Sequence, residues 1–420
     1  MNSPDETNSI SFEHLGQFWN QLKGTPLINV LLGLAILINL VWVFKAATNY
    51  HDQNDFAHYF ASSQLYLSGQ ADLYETDLRP TYEALGWTEF REPIFSPTNP
   101  PALVKLFSIY ARLPPRTAHW AWLATQVVAL SLALGLVYTT VKSDLSVPAY
   151  GLIVTVFLFL PFVRTHLIYS QVQLQLLLLI LLGFGFLSRG KGWLGCLLVV
   201  AAALIKLYPL ALLPWFVWRS SNNIRGRLIA GALSVAALIA GVWVTDLSMW
   251  QQFIEVARPQ ISNWVSHSQC FTLCSFGEHI GAIVTGNHES RIYFQSGLGL
   301  SFLALVAFQL WVMLRRQPPE RIGLAAELAI GILLMLFCGA TCWWHYLVFL
   351  IFPFSIAAVY LKPTLTVRKT TACVVLLAGM LQLTSSTDFS SLPTLLVLFA
   401  PMFSMIALTI YLAYQAVKGR

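Results

Sequence analysis

The sequence predicts an all-helical protein that crosses a membrane many times, and its composition is the first indication. Hydrophobic residues make up 56% of the 420 residues and charged residues 10%, with a mean hydropathy of +0.64. Soluble globular proteins carry about 25% charged residues. The second indication is a series of apolar runs close to the roughly 20 residues that a helix needs to cross the hydrocarbon core. The chain is therefore predicted to be a polytopic membrane protein, and its net charge of +6 does not indicate a nucleic-acid partner.

Twelve membrane spans are predicted along the chain. The polar segment 1–24 lacks the pattern of a cleaved signal peptide, so we expect it to remain as a cytoplasmic N-terminal segment. The remainder, 25–420, is treated as a single transmembrane domain. Ten apolar runs supply ten of the twelve spans: 27–46, 117–140, 148–163, 170–188, 228–245, 297–314, 322–340, 345–361, 370–385 and 393–415.

The stretch 192–218 supplies the other two spans. Its 27 residues fit either one long tilted helix or two short helices. Arg189 and Lys191 precede the stretch and Arg219 follows it, so a single crossing would place these cations on opposite sides of the membrane. Because cytoplasmic loops carry an excess of Lys and Arg, a hairpin that turns at Pro209 is favoured, with both chain termini in the cytoplasm.

Two basic residues oppose this topology. Fifteen of the 25 basic residues fall on the predicted cytoplasmic side, and eight lie in or beside two long outer loops, 47–116 and 246–296. The exceptions are Arg164 and Lys206, which fall at short outer turns. An anionic substrate group held at the outer surface would explain a cation in such a place. Snorkelling or an ion pair with an outer acid is the alternative.

The first outer loop opens with the stretch NYHDQNDFAHY, directly after the first span. Asp52, Asp55 and His58 are spaced three apart in it, so they share roughly one helix face. Asp55 is predicted to be the catalytic carboxylate. As alternatives, Asp55 caps a helix that begins at Phe56, or the three residues hold a divalent cation. Three ligands without further support are thin evidence for a metal, and no cofactor is predicted.

The outer side is where we expect any chemistry. The cytoplasmic connections are short and mostly basic, and the sequence has no phosphate loop, dinucleotide fingerprint or nucleophilic serine elbow. One disulfide within the outer cysteines, Cys270 with Cys274 or Cys338 with Cys342, is an open alternative to free thiols. Three short helices are predicted in the first outer loop, two at the surface and one interfacial or re-entrant: 56–69, 79–86 and 101–113.

Several function classes fit such an outer face. A secondary transporter would place ionisable residues near the bilayer midplane, whereas most of them here lie at the outer ends of spans. A lipid-linked glycan flippase or a polysaccharide ligase would also show outer cations and a large outer loop. A non-catalytic scaffold would predict that Asp55 is dispensable. A transferase is the remaining class, and a resemblance favours it.

Six motifs follow one another in the order of a known family: DFAHYF, DLYE, PTNPPALVKLF, SQVQLQLLLLILLGF, AALIKLYPLALLPWFVWR and CWWHYLVFLIFP. Together they resemble glycosyltransferase family 87, over most of residues 26–361. That family belongs to the C-type, membrane-embedded glycosyltransferases and includes mannosyltransferases that use a polyprenyl-phosphate mannose donor. The resemblance implies the C-type fold and transfer of a sugar on the outer face.

The resemblance also assigns residues by motif. Asp55 matches the catalytic aspartate of the first outer loop, and Lys206 with Pro209 matches a Lys-x-x-Pro turn. Gln171 and Gln173 match a Gln-x-Asn pattern, with Gln in place of Asn at its second position.

Two late segments add to this assignment. His345 matches a late Trp-x-His motif, although an aromatic belt at the membrane interface would equally explain Trp343 and Trp344 beside it. The segment 266–268 reads Ser-His-Ser where the family often has Asn-Gln-Ser, which bears on the acceptor contacts.

The chemistry gives these residues roles. Transfer of a sugar from a lipid phosphate to a hydroxyl needs a base for the hydroxyl proton and cations for the phosphate. Asp55 would be the base, and Lys206 with Arg164 or His345 would hold the phosphate. One carboxylate suffices for inversion, whereas retention usually needs a second, for which Asp52 is the only nearby candidate. Substrate contacts are predicted at Asp52, His58, Tyr59, Asn99, His166, Gln171, Gln173 and Tyr208.

The sequence thus predicts an inverting hexosyltransferase of a bacterial inner membrane, with its active site on the periplasmic or extracellular side. The donor is expected to be a polyprenyl-phosphate hexose, with mannose as the sugar that the resemblance implies, and the acceptor a glycolipid or an envelope glycan. The lipid is expected to enter sideways from the bilayer. A separation of more than about 15 Å between Asp55 and Lys206 would contradict this prediction, because one sugar phosphate could not connect them.

Overall fold

The computed structural model describes residues 55–87, 97–265, 270–285, 291–315, 320–339, 341–361 and 399–418, together with most of 30–41 and Lys45. In this part of the chain every regular element is a helix and no strand occurs, which confirms the predicted all-helical class. Asp52, the span predicted at 370–385 and the segment 266–268 lie outside the described residues.

Apart from the helical residues of 30–41 and Lys45, the described residues form sixteen α-helices and two 3₁₀ helices, numbered here in chain order. Helices α1–α8 are Asp55–Leu67, Arg79–Ala84, Pro101–Ala111, Pro115–Val141, Val147–Phe159, Pro161–Tyr169, Gln173–Leu187 and Gly192–Ile205. A 3₁₀ helix, Tyr208–Leu212, leads into helices α9–α14: Leu213–Arg219, Ile224–Val244, Leu247–Val265, Leu273–Thr285, Arg291–Leu314 and Arg321–Phe337. A second 3₁₀ helix, Trp344–Leu350, leads into α15, Ile351–Leu361, and α16 is Ala400–Lys418.

Several of these helices have the length and composition of membrane spans. Five runs qualify: α4, α10, α13, the segment Trp344–Leu361 and α16. The pair α5 and α6 qualifies as a sixth if it is one broken span. The chain is therefore a multi-pass membrane protein. The total of twelve spans stays a prediction, since α7 and α8 are apolar but have only 15 and 14 residues.

The span predicted at 148–163 is corrected by the structure. The helix ends at Phe159, and α6 starts anew at Pro161 with a bend of 60°. Leu160 between them is extended, with φ −69° and ψ 138°. The residue before a proline is pushed out of the helical region by its ring, which explains the break.

The predicted hairpin at 192–218 is confirmed. Gly192, at the start of α8, lies against Ser220 just after α9: a Cβ atom on Gly192 would be 2.3 Å from the Ser220 Cα atom. The two basic flanks of the hairpin therefore lie at the same end of the bundle. The chain leaves the helix at Lys206, which is extended at φ −146° and ψ 133°. The turn thus begins three residues before the predicted Pro209.

Helix α14 is the centre of the bundle. Each residue from Ala325 to Phe337 is buried, as expected for a helix that is apolar on all sides. Its one charged residue in that run, Glu327, is fully buried and lies close to Arg219 and Arg315.

The segments 47–116 and 246–296, predicted to be outer loops, contain more ordered structure than predicted. The first loop has its three short helices at α1–α3, close to the expected bounds, but α1 is not a surface helix, because Phe56 to Ser63 are all buried. The second loop contains α11 and α12, which were not predicted. Met249, Trp250 and Phe253 of α11 pack on Leu73 and Tyr74 of the first segment, so the two segments contact each other here.

Candidate active site

Asp55 occupies the first turn of α1, which favours an acidic side chain because of the helix dipole. The amide nitrogen Nε2 of Gln171 donates a hydrogen bond to Asp55 Oδ2. The amide oxygen Oε1 of Gln171 accepts a hydrogen bond from the Tyr59 hydroxyl at 2.7 Å. Because Tyr59 contacts the oxygen end of the amide, the nitrogen end is directed at Asp55. Tyr59 and Gln171 are buried, whereas Asp55 is partly exposed.

The tight turn between α6 and α7 presents Gln171 to Asp55. Ser170 lies in the left-handed region, with φ 55° and ψ 41°, a conformation that residues other than glycine rarely adopt. Three side chains of α4 stabilise the turn. Trp122 Nε1 donates to the Ser170 carbonyl at 2.7 Å, His119 Nε2 and Ser170 Oγ are 3.3 Å apart, and Gln126 Nε2 donates to the Gln171 carbonyl.

These α4 residues were missed by the sequence analysis. They lie in a helix that looks like an ordinary apolar span, and their role depends on a tertiary contact with a turn more than 40 residues away. His166, predicted as a substrate contact, belongs to the same network. It is fully buried, and its Nε2 is 3.1 Å from Gln126 Oε1. This contact indicates that His166 orients Gln126.

Lys206 lies beyond the C-terminal end of α8, in the turn of the hairpin. Its Nζ donates to Asn99 Oδ1 at 2.9 Å and lies 6.0 Å from the centre of the Tyr59 ring. Burial lowers the pKa of Lys206 to about 8, and the charge of Asp55 partly opposes that change. Tyr59 thus links the two charged residues of the site: its hydroxyl bonds the amide that holds Asp55, and its ring faces Lys206.

The segment at Asn99 is itself held from two sides. The Tyr74 hydroxyl donates to the Asn99 carbonyl at 2.6 Å. His58 Nε2 accepts from the Thr98 backbone N–H at 3.3 Å, and His58 Nδ1 lies 3.4 Å from the Tyr82 hydroxyl. Burial and, second, the charge of Lys206 lower the pKa of His58 to about 3, so the imidazole is neutral at pH 7. Both ring nitrogens of His58 face protein groups, which indicates a positioning role for it.

Aromatic side chains surround the remaining predicted residues. His345 lies within electrostatic reach of Lys206 and His166, and its ring centre is 6.1 Å from that of Tyr169. Tyr208 packs on Tyr346 with ring centres 5.1 Å apart.

The buried polar atoms without a hydrogen-bond partner in the described part of the chain include Gln173 Oε1 and the Tyr208 hydroxyl. Gln173 Nε2 lies 3.4 Å from Gln171 Oε1, so this unpaired oxygen lies beside the group that contains Asp55. Buried polar atoms are normally hydrogen-bonded. Unpaired ones at this place are suited to the hydroxyls of a sugar.

The structure therefore brings Asp55, Lys206 and His345 to one place, with Tyr59 between the first two. Arg164, the other predicted phosphate ligand, is exposed on α6. It is two residues from buried His166 and so projects from a different side of the helix. Among the described residues no group of three or more His, Cys, Asp and Glu could hold a metal ion, and the described cysteines are free thiols. The substrate contact predicted for Asp52 stays a prediction, because this residue lies outside the described part of the chain.

A comparison with protein families identifies a match over much of the chain. The model of glycosyltransferase family 87 matches residues 98–339, which is more than half of the chain. The matched range includes Asn99, Gln171 and Lys206; Asp55 precedes it and His345 follows it. No curated protein sequence matches the chain significantly.

Proposed function

Because the chain belongs to glycosyltransferase family 87 and is a multi-pass membrane protein, we propose that it transfers a hexose from a polyprenyl-phosphate donor to a lipid or glycan acceptor. The observation that carries the proposal is that partly exposed Asp55 and partly buried Lys206 are linked through Tyr59, whose hydroxyl bonds the amide that holds Asp55 and whose ring faces the ammonium. A base and a phosphate ligand are the two groups that such a transfer needs.

In the proposed reaction the acceptor hydroxyl oxygen attacks C1 of the sugar. The bond between C1 and the phosphate oxygen breaks, and polyprenyl phosphate leaves with the electron pair. Asp55 accepts the proton of the attacking hydroxyl. One attack from the face opposite the phosphate inverts the configuration at C1, so a single carboxylate is enough. The amide of Gln171 keeps one carboxylate oxygen in a fixed position and thereby orients the base.

Lys206 is the proposed ligand of the donor phosphate. Negative charge on the bridging phosphate oxygen grows as the C1–O bond breaks, and an ammonium in a partly dehydrated turn stabilises that charge more than it would in water. Asn99 holds the ammonium by a neutral oxygen, so its positive charge remains available. His345, close to Lys206, is the second candidate for contact with the phosphate.

The sugar is proposed to lie against Tyr208 and Tyr346, with Gln173 Oε1 as a hydroxyl contact. Sugars present both hydroxyl groups and apolar C–H faces, and this combination of tyrosine rings and an unpaired amide oxygen suits both. Mannose is the first sugar to test. The outer face of a bacterial inner membrane is the proposed location, in agreement with the distribution of basic residues along the chain, and no metal ion takes part in the proposal.

The test is a transfer assay with purified full-length protein. Wild type, Asp55→Asn and Asp72→Asn are incubated with radiolabelled polyprenyl-phosphate mannose and a membrane lipid extract, and the lipids are then analysed for a new labelled product. Asp72 is an exposed carboxylate of the same loop, so its variant controls for the loss of a negative charge. We expect wild type and Asp72→Asn to transfer, and Asp55→Asn to lose about 10²–10⁴-fold in rate, the usual contribution of a general base.

Equal transfer by wild type and a folded Asp55→Asn protein would show that the base lies elsewhere. The same assay with donors that carry glucose or galactose on the same lipid identifies the sugar that the protein transfers. Absence of transfer from every polyprenyl-phosphate donor would contradict the proposed donor class and favour the flippase alternative.

A further inference from the structure

A groove lies at the end of α8 and α10 opposite to the candidate active site. Its cavity of about 410 Å³ is lined by apolar side chains of two helices, Trp193 of α8 and Ile229, Ala230 and Leu233 of α10, and by the polar residues Ser220 and Ser221. Helix α8 has 14 residues, so its two ends, at Lys191 and Lys206, are separated by about 20 Å. The groove is therefore separate from the proposed transfer site.

The apolar side of the groove opens toward lipid. Helix α10 is a candidate membrane span of which only 11% is buried inside the protein. Ile229 and Leu233 lie one turn apart on this helix and are 51% and 41% exposed, and Trp193 across the groove is 46% exposed. An apolar surface of this kind on a spanning helix is covered by acyl chains in a bilayer.

Cationic residues adjoin the residues that line the groove. Lys191 directly precedes Gly192, whose backbone lies against Ser220, and Arg225 directly precedes Gly226 of the groove wall. Both cationic side chains are exposed. Arg227 is held nearby, with its Nε donating to the Ser221 carbonyl at 2.9 Å and its guanidinium 3.8 Å from the Trp218 ring centre.

Among the residues that the structure describes, no acidic side chain forms an ion pair with Lys191 or Arg225. The sequence has no Asp or Glu between Asp144 and Asp246. Buried Glu327 is already bound by Arg219 and Arg315. The groove thus combines an apolar channel open to lipid, two hydroxyl groups and an uncompensated positive charge.

We propose that this groove is a binding site for an anionic phospholipid. The lipid phosphate is held by Lys191 and Arg225 beside the two serines, and one acyl chain lies along Ile229 and Leu233. Basic pockets between spanning helices are suited to anionic head groups, and each nearby cation strengthens the attraction. The site is independent of the proposed transfer reaction, so its test does not require activity.

The test measures binding of radiolabelled phosphatidylglycerol and, in parallel, phosphatidylcholine to the purified full-length protein in detergent micelles. We expect phosphatidylglycerol to bind at least about tenfold more tightly, because only its head group has a net negative charge. The double variant Lys191→Gln/Arg225→Gln is expected to lose this preference. The control double variant Lys142→Gln/Lys418→Gln removes the same charge at two exposed sites outside the groove and is expected to keep it.

A second pair of variants tests the apolar side of the groove without altering its charge. Ile229→Trp fills the channel at a half-exposed position and is expected to weaken phosphatidylglycerol binding about tenfold. Ile239→Trp makes the same change further along α10, where the side chain is 63% exposed, and is expected to leave binding unchanged.

Three outcomes would overturn the proposal. Equal affinity for the two lipids would remove the role of charge, and unchanged binding in both the charge and the channel variants would place the lipid elsewhere. Complete displacement of phosphatidylglycerol by inorganic phosphate would show that the groove holds an ion and not a lipid.

Discussion

Two groups of charged residues in this protein are built in opposite ways. At the centre of the bundle, Glu327 is fully buried and accepts hydrogen bonds from Arg219 at 2.7 and 2.9 Å and from Trp215 at 3.1 Å, with Arg315 at 3.4 Å. At the candidate active site, Asp55 is held by the amide of Gln171 and Lys206 by the amide of Asn99.

The cluster around Glu327 is suited to holding the fold together, whereas the arrangement of Asp55 and Lys206 is suited to chemistry on a substrate. Charges bound by opposite charges and buried are neutralised and inaccessible to a substrate. Charges that are oriented by neutral amides keep their charge and, here, their partial exposure. A carboxylate that must take a proton and an ammonium that must bind a phosphate need the second arrangement.

The largest expected effect on stability comes from the central cluster. Glu327→Gln removes the buried negative charge and leaves Arg219 and Arg315 without it, which should cost about 3–5 kcal/mol of the free energy of unfolding. The variant is therefore expected to show a much lower thermal midpoint in detergent than wild type. Glu83→Gln, at an exposed position, is the control and should unfold like wild type.

The comparison is sharpest when this variant is set beside Asp55→Asn. Both exchange a carboxylate for an amide of the same shape. Asp55→Asn should lose activity and keep the wild-type thermal midpoint, whereas Glu327→Gln should lose stability first. Equal thermal midpoints for Glu327→Gln and wild type would show that the central cluster is not a structural ion pair.

The next effect concerns Lys206 and the donor phosphate. Lys206→Met keeps the length of the side chain and removes its charge, so KM for the donor is expected to rise about 10–100-fold, the value of a charged hydrogen bond. The control is Lys105→Met, in which another outer lysine, bonded to the Val244 carbonyl at 3.1 Å, is replaced. Its KM should remain at the wild-type value.

The pH dependence of donor binding follows from the same residue. The pKa of Lys206 is lowered to about 8, so the fraction of charged ammonium falls as the pH rises through that value. KM of wild type is therefore expected to increase above pH 8, and KM of Lys206→Met to stay constant over the same range. Parallel pH profiles for the two proteins would exclude Lys206 as the phosphate ligand.

The charged residues of the site could be predicted from the sequence, whereas several of the residues that position them could not. Lys206 opposes the distribution of basic residues, and Asp55 directly follows the first span, so both could be identified without a structure. His119, Trp122 and Gln126 could not, because they lie in an apolar helix and act through a turn that packing brings to them. The left-handed conformation at that turn belongs to a serine, whose identity does not predict it.

The fold shows the same division. Spanning helices were found from hydropathy, and the hairpin at 192–218 from charge. Pro161 itself indicates a break at the residue before it, where the structure bends by 60°. The prediction of one span relied instead on the length of the apolar run. Helices α11 and α12 were missed because the mixed polarity of 246–296 looked like a loop. Their apolar residues instead form one face of each helix, and that face packs on other elements.

His58 provides a smaller effect that depends on pH. Its pKa is lowered to about 3 in the folded protein, against about 6.5 in the unfolded chain. The unfolded state therefore binds more protons between these values. Neutral His58 therefore contributes fully to the free energy of unfolding above pH 6.5. At pH 5, about 2 kcal/mol of this contribution is lost.

The measurement is the thermal midpoint of wild type and His58→Gln between pH 7.5 and pH 5. Other histidines titrate in both proteins, so the difference between the two curves isolates His58. We expect wild type to lose more stability than the variant over this range. Parallel curves would show that His58 is not buried as a neutral imidazole.

The smallest expected effect concerns the hydrogen bond that orients the amide of Gln171. Tyr59→Phe removes the hydroxyl that orients Gln171 and keeps the ring that faces Lys206. Loss of one neutral hydrogen bond is worth about 1 kcal/mol, so kcat should fall about fivefold while KM for the donor stays constant. Tyr110→Phe is the matched control, because its hydroxyl lies 3.0 Å from Thr125 Oγ1 and the ring that packs on Trp122 is retained. A change in KM without a change in kcat would mean that Tyr59 contacts the donor directly, and that Asp55 keeps its orientation without the tyrosine.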